Sequence, residues 1–430
     1  MAFSDEDSEF SIVVHPKKFN ELDASITKPI DVANEPELNP AWVDDEDNTL
    51  NENNVLGYFE LTRSLDFSQP TILDIHSHVA RKRQRISEVE KLFDVIGKGT
   101  QDVLDYNTRI FRLSDANMER LSSAPLTSVE FNNTYKMFLT SSEDTTMALF
   151  KFGKKESTLL ADCVFERFPI SCAKFTTQGD RVILVAKKHY FKVYDMSSSS
   201  VTHPKIPFDA EYGECVSSVQ ISPQNEIGAF LGSYGMYIVD LRSYEKINTA
   251  RVSGSAVAHC FSQDGNLLNA FSSDGSIFVF DMRKNTLPMH RWYDYSCVGG
   301  CSLAISNDSK YIACGSESGY VNIYTWKSVM KDLTKRPKPL KTVGNLVTAV
   351  DQLRFHPFGE MLYMSSSLEP GAARLYDIEN QRVHASFPAC MGRLGKPVSV
   401  GFSPRGGYLA VGQSGGRAAL YCFDWCGSKY

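Results

Sequence analysis

The chain has 430 residues, 42% of them apolar and 11% aromatic, with ten cysteines and a formal net charge of −6 at pH 7. This is enough sequence for a large core and for more than one domain. No apolar run is long enough to span a bilayer as a helix. The first residues, Met1-Ala2-Phe3-Ser4-Asp5, lack the charged-then-apolar pattern of a secretory signal. The cysteines show no metal-ligand spacing: Cys297/Cys301 and Cys422/Cys426 stand four apart, and Cys172, Cys260 and Cys314 lie in apolar strand-like contexts. They read as small buried residues of a reducing compartment.

In chain order, residues 1–100 read as an extended, largely irregular acidic N-terminal arm. The first 60 residues hold fifteen Asp or Glu against three Lys, so the remaining body is positive by about six charges. Low hydrophobicity and scattered proline argue against a core of their own. Within the arm stands an island, Asn39-Pro40-Ala41-Trp42-Val43-Asp44-Asp45-Glu46-Asp47. A large aromatic set among acids gains little unless a partner buries it. Pro40, Trp42, Val43, Asp44, Asp45, Glu46 and Asp47 are therefore the expected partner-binding residues, with Trp42 as anchor. Residues 81–96 follow with helical periodicity: Ile86, Val89, Leu92, Phe93 and Ile96 share one face, and Gly97 is the expected stop. The basic start of this short helix, Arg81, Lys82, Arg83 and Arg85, is a candidate RNA-contact or nuclear-import patch.

From about residue 101 a repeat dominates. A short apolar strand ends at Phe131, Phe175, Ile221, Phe261, Ile305, Phe355 and Phe402, at intervals close to those of four-stranded propeller blades. Turn signals return after it, as in Ser222-Pro223-Gln224-Asn225, Ser262-Gln263-Asp264-Gly265, His356-Pro357-Phe358-Gly359 and Ser403-Pro404-Arg405-Gly406. A second turn recurs, as in Ser273-Asp274-Gly275, Glu317-Ser318-Gly319 and Ser414-Gly415-Gly416. A third strand then closes on an aromatic-acid pair: Tyr194-Asp195, Phe280-Asp281, Tyr376-Asp377 and Phe423-Asp424. The fold expected is all-β, a seven-bladed WD-repeat β-propeller over 101–430. Its last repeat, with strands near 398–403, 408–412 and 417–423, lacks an outer strand. The segment near 103–113 is expected to supply it and so hide the edge. The widest break in spacing is the basic, proline-containing loop Lys331–Lys341, a candidate partner-facing insertion that is also a candidate for RNA contact.

Ile72-Leu73-Asp74-Ile75-His76-Ser77-His78 resembles the first metal-binding strand of amidohydrolases, but the matching barrel does not follow. Gly97-Lys98-Gly99-Thr100 lacks the spacing and ending of a phosphate loop. No nucleophile elbow of the G-x-S-x-G type is read, and His259 with Asp274 reads as part of a blade's hydrogen-bond network. The expectation is a non-enzyme with no cofactor, no metal and no small-molecule substrate.

Several segments together resemble one family, the U-three small nucleolar RNA-associated protein eighteen family, over about residues 40–425. They are Phe165-Glu166-Arg167-Phe168-Pro169-Ile170, the Tyr311–Tyr324 repeat, Asn345-Leu346-Val347-Thr348, Phe402–Ala410 and the Pro40–Asp47 island. The resemblance implies a nucleolar scaffold within the UTP-B subcomplex of the small-subunit processome. Its partners would be UTP-B subunits, other processome proteins, U-three RNA and pre-ribosomal RNA, and its role the processing and maturation of small-subunit rRNA. No membrane partner is implied. The peptide by which some members recruit an exosome-associated helicase has its nearest match at Leu92-Phe93-Asp94-Val95, with Ile96 where Asp would stand. The alternative is a WD-repeat adaptor of another complex, such as a substrate receptor of a ubiquitin ligase.

Overall fold

The structure is a computed structural model and describes residues 110–153, 157–204, 215–233, 235–284, 287–295, 297–331, 335–388 and 392–423. The acidic island, the 81–96 segment and residues 103–109 lie outside them. What is described is a β-propeller of seven four-stranded antiparallel sheets. The innermost strands are β2 (Leu126–Phe131), β6 (Cys172–Phe175), β10 (Ser218–Ile221), β14 (Ala256–Phe261), β18 (Gly300–Ile305), β22 (Gln352–Phe355) and β26 (Pro397–Phe402). Each of the seven anchors is the last residue of one of them.

The blades form from local signals. Strands packed on both faces read as continuous apolar runs, as in β16 (Ser276–Asp281), where every residue is buried. An outermost strand such as β5 (Thr158–Val164) alternates exposed and half-buried positions instead. The core is divided among the interfaces between neighbouring blades. One cluster joins Phe191 and Val193 of blade 2 to Phe230 and Tyr237 of blade 3. Another joins Tyr363 and Leu375 of blade 6 to Leu409 and Tyr421 of blade 7. Because each blade buries its faces against two neighbours, the ring must close for every blade to be covered.

Closure is made by β1 (Ile110–Arg112), which pairs with β28 (Ala418–Phe423) in the register Ile110↔Phe423, Phe111↔Cys422 and Arg112↔Tyr421. The strap continues past the strand. Leu113 N donates to Leu420 O at 2.8 Å and Ala116 N to Ala418 O at 2.7 Å. Asn117, fully buried, then clamps the last hairpin: its amide donates to Gly416 O and its carbonyl accepts from Ala418 N, both at 2.8 Å. Side chains also stitch blade to blade. Ser399 Oγ of blade 7 donates to Leu126 O of blade 1 at 2.7 Å, and Ser302 Oγ of blade 5 to Val350 O ahead of blade 6 at 2.5 Å.

Two sequence readings need correction. Gly412-Gln413-Ser414-Gly415-Gly416 does spell G-x-S-x-G, but it is the hairpin turn between β27 (Tyr408–Gln413) and β28, not a strand-to-helix elbow. His259 and Asp274 take separate partners. His259 Nε2 donates to Ala229 O of the preceding blade at 2.9 Å, while Asp274 accepts from Ser276 and lies 3.6 Å from Arg291. In addition, a short helix without a signal in the repeat pattern, α1 (Trp326–Lys331), opens the stretch that leads into the basic loop.

Candidate interaction surfaces of the propeller

The residues expected to bind partners, Pro40, Trp42, Val43, Asp44, Asp45, Glu46 and Asp47, lie outside the described residues. So do Arg81, Lys82, Arg83 and Arg85, as well as His76 and His78. Among the described residues, three places on the ring bear on possible interactions.

The first is the central cavity, about 460 Å³, lined by the seven innermost strands. Its one charged cluster is Glu130, whose Oε1 lies 2.9 Å from Lys174 Nζ and 3.5 Å from a guanidinium nitrogen of Arg354. Arg354 belongs to blade 6 and Glu130 to blade 1, so the contact reaches past blade 7. Blade 7 carries Gly401 at the equivalent position, where a Cβ would stand 2.5 Å from Val129 O. A side chain there would push blade 7 off blade 1 and fill the space the ion pair crosses. His259, near the same cavity, is pulled down to about 4 by burial, so it is neutral at pH 7 and acts as a hydrogen-bonded pin. Cys172 and Cys260 also line the cavity, half-buried, and burial raises both thiols.

The second place lies between blades 4 and 5. Asp294, 5% exposed, follows β17 (His290–Tyr293) and receives two donors on Oδ1: the Tyr324 hydroxyl, and Asn322 Nδ2 at 3.0 Å. Asn322 also donates to Tyr295 O at 2.8 Å and accepts from Thr342 Oγ1 at 2.7 Å, while Tyr324 OH accepts from Tyr295 N at 2.8 Å. The fully buried Trp292 meets Tyr324 edge-on, ring centroids 5.0 Å apart. Burial pushes the Asp294 carboxyl up to about 6 against the pull of its donors. The network joins the outer end of one blade to the third strand of the next, and it explains part of the Tyr311–Tyr324 motif in packing terms. The Phe165–Ile170 motif likewise packs. Phe165, Phe168 and Ile170 are buried between blades 1 and 2, and the buried Lys192 ammonium stands 5.5 and 4.9 Å from the two phenyl rings.

The third place is the outer rim of blades 4 and 5. The basic loop leaves α1 and folds back onto β17, where Tyr293 N donates to Lys335 O at 2.7 Å. This brings two guanidinium groups onto one ring: Arg291 at 5.0 Å and Arg336 at 5.7 Å from the Tyr293 centroid. Lys335, Arg336, Lys338 and Lys341 are exposed, whereas Pro337 between them is buried and anchors the loop.

Seven four-stranded blades, closed by a strand from the other end of the sequence, define the chain as a WD-repeat β-propeller. Residues 285–325, running from the end of blade 4 through the third strand of blade 5, match the WD domain, G-beta repeat family. The chain is also similar to U3 small nucleolar RNA-associated protein 18 homologs. The mouse and human proteins are each 31% identical over 312 residues, which is 71% of this chain and 55% of the relative. The Saccharomyces cerevisiae protein is 27% identical over 357 residues, 73% of this chain and 60% of the relative. Seven curated relatives from animals, a plant and fungi carry that name, so the family resemblance read from the motifs is shown. The chain spans about half the length of the mouse and human relatives it matches.

Proposed function

We propose that this chain is a non-enzymatic scaffold of early small-subunit assembly, acting in the nucleolus within the UTP-B part of the small-subunit processome. It would support pre-rRNA processing and maturation of small-subunit rRNA. The observation that carries the reading is the similarity, over 71% of the chain, to relatives named for the U3 small nucleolar RNA. The physical properties fit the role. Inter-blade hydrogen bonds and divided cores make a stiff ring that presents loops on both faces. The acidic Trp42 segment is chemically suited to anchoring on neighbouring subunits. Partners in this reading are UTP-B subunits, other processome proteins, U3 RNA and pre-ribosomal RNA.

The test is a tagged pull-down at moderate salt, probed for U3 RNA and pre-ribosomal RNA. Strong enrichment that falls on Trp42→Ala is expected. Enrichment indifferent to that change would keep the assembly role and discard the anchor. No enrichment with a folded protein would overturn the assembly role.

A further inference from the structure

We propose that the outer rim of blades 4 and 5 is a binding site for the phosphate backbone of RNA, built from Arg291, Tyr293, Lys335, Arg336, Lys338 and Lys341. This goes beyond the assembly role, which protein contacts alone would satisfy. The argument starts from charge. The loop from Lys331 to Lys341 holds five cations and one acid, in a chain that is acidic as a whole. Among the described residues, no carboxylate lies within ion-pair distance of Lys335, Arg336, Lys338 or Lys341. Like charges that follow one another along a single loop repel, and that cost is relieved when a polyanion binds.

Geometry adds to charge. The lysines recur at every third residue along a stretch whose two prolines exclude a helix, so the charges are spread along the rim rather than gathered at a point. The backbone bond from Tyr293 to Lys335 O holds this row against the edge strand of blade 4. Cation–π contacts on both Arg291 and Arg336 restrain their guanidinium planes before any ligand arrives, and such planes match phosphate oxygens in pairs. Arg291 is further steadied over the Phe278 ring at 4.8 Å and beside Asp274. A phosphodiester chain repeats its charge along its length, so it engages several spread cations at once and releases their counterions. An acidic protein segment needs its carboxylates in matching register to do the same.

The experiment uses the purified full chain and a fluorescent mixed-sequence single-stranded RNA of about 20 nucleotides, titrated by anisotropy over a salt series. Lys335→Ala/Lys338→Ala/Lys341→Ala is compared with a control of equal charge change on other exposed lysines, Lys151→Ala/Lys187→Ala/Lys396→Ala. The rim variant is expected to lose ~10-fold or more in affinity near 0.1 M salt, and the slope of log affinity against log salt should flatten by about 2. The single change Lys338→Glu, at an exposed position, should weaken binding several-fold in the same direction. Three results would each overturn the site: no RNA binding by the unaltered chain, equal losses in rim and control variants, or competition by an acidic peptide matching that of RNA of equal charge. The last would identify a protein-docking surface instead. A rim failure with U3 RNA still enriched from cells leaves the assembly role standing, so the two readings fail separately.

Discussion

Replacing Asp294 by Asn should make the propeller more stable at neutral pH and remove a specific part of its pH dependence. Asp294 is buried with two donors on Oδ1, and its carboxyl titrates at about 6 in the folded chain. An unfolded aspartate titrates near 3.8. Between these values the folded state holds a proton that the unfolded state has lost, so this group's contribution falls as pH rises. The stabilisation is fully present below about 3.8 and is lost as pH climbs through about 6. The whole difference amounts to ~3 kcal/mol, of which ~1.4 kcal/mol falls between about pH 5 and pH 7.5. Asparagine keeps an acceptor oxygen for Tyr324 and Asn322 and removes the charge, at the loss of roughly 1 kcal/mol of charge-assisted hydrogen bonding. The variant is thus expected to gain ~1–2 kcal/mol at about pH 7.5, and the gain should vanish near about pH 5. Urea unfolding midpoints at the two pH values measure both quantities. A variant that is less stable at both, with the wild-type pH dependence intact, would refute the assignment of that dependence to Asp294.

Asn117→Ala should loosen ring closure. It leaves Gly416 O and Ala418 N without their side-chain partner, at a cost of about 2–4 kcal/mol. Hydrogen exchange should quicken first in Ala418–Phe423, and uniform acceleration across all blades would count against a local clamp. Gly406→Ala meets two obstacles: φ is +70°, and the new Cβ would stand 2.3 Å from His356 Nε2, which bonds Gly406 O at 2.9 Å. A loss of about 2 kcal/mol or more in thermal or urea stability is expected, and a neutral variant would show that the turn adapts.

Much of the architecture was legible in the residues because a propeller blade is made by local rules. Strand, turn, strand and turn follow one another within a few tens of residues, so Phe131, Phe175, Ile221, Phe261, Ile305, Phe355 and Phe402 mark the inner strands without knowledge of the ring. A short motif is less decisive, because the same local text can serve two structures. Gly412–Gly416 spells a nucleophile elbow and folds as a hairpin turn, because strands stand on both sides of it.

The sequence by itself determined the number of blades, the inner strand of each and the basic character of the Lys331–Lys341 loop, since these depend on patterns a few residues long. Only the tertiary structure decided what that loop meets, that Asn117 locks the last hairpin, and that Arg354 reaches Glu130 across 224 positions of sequence. Such contacts depend on how blades are rotated about a common axis. That rotation is set by the summed packing of seven interfaces, and no single residue encodes it.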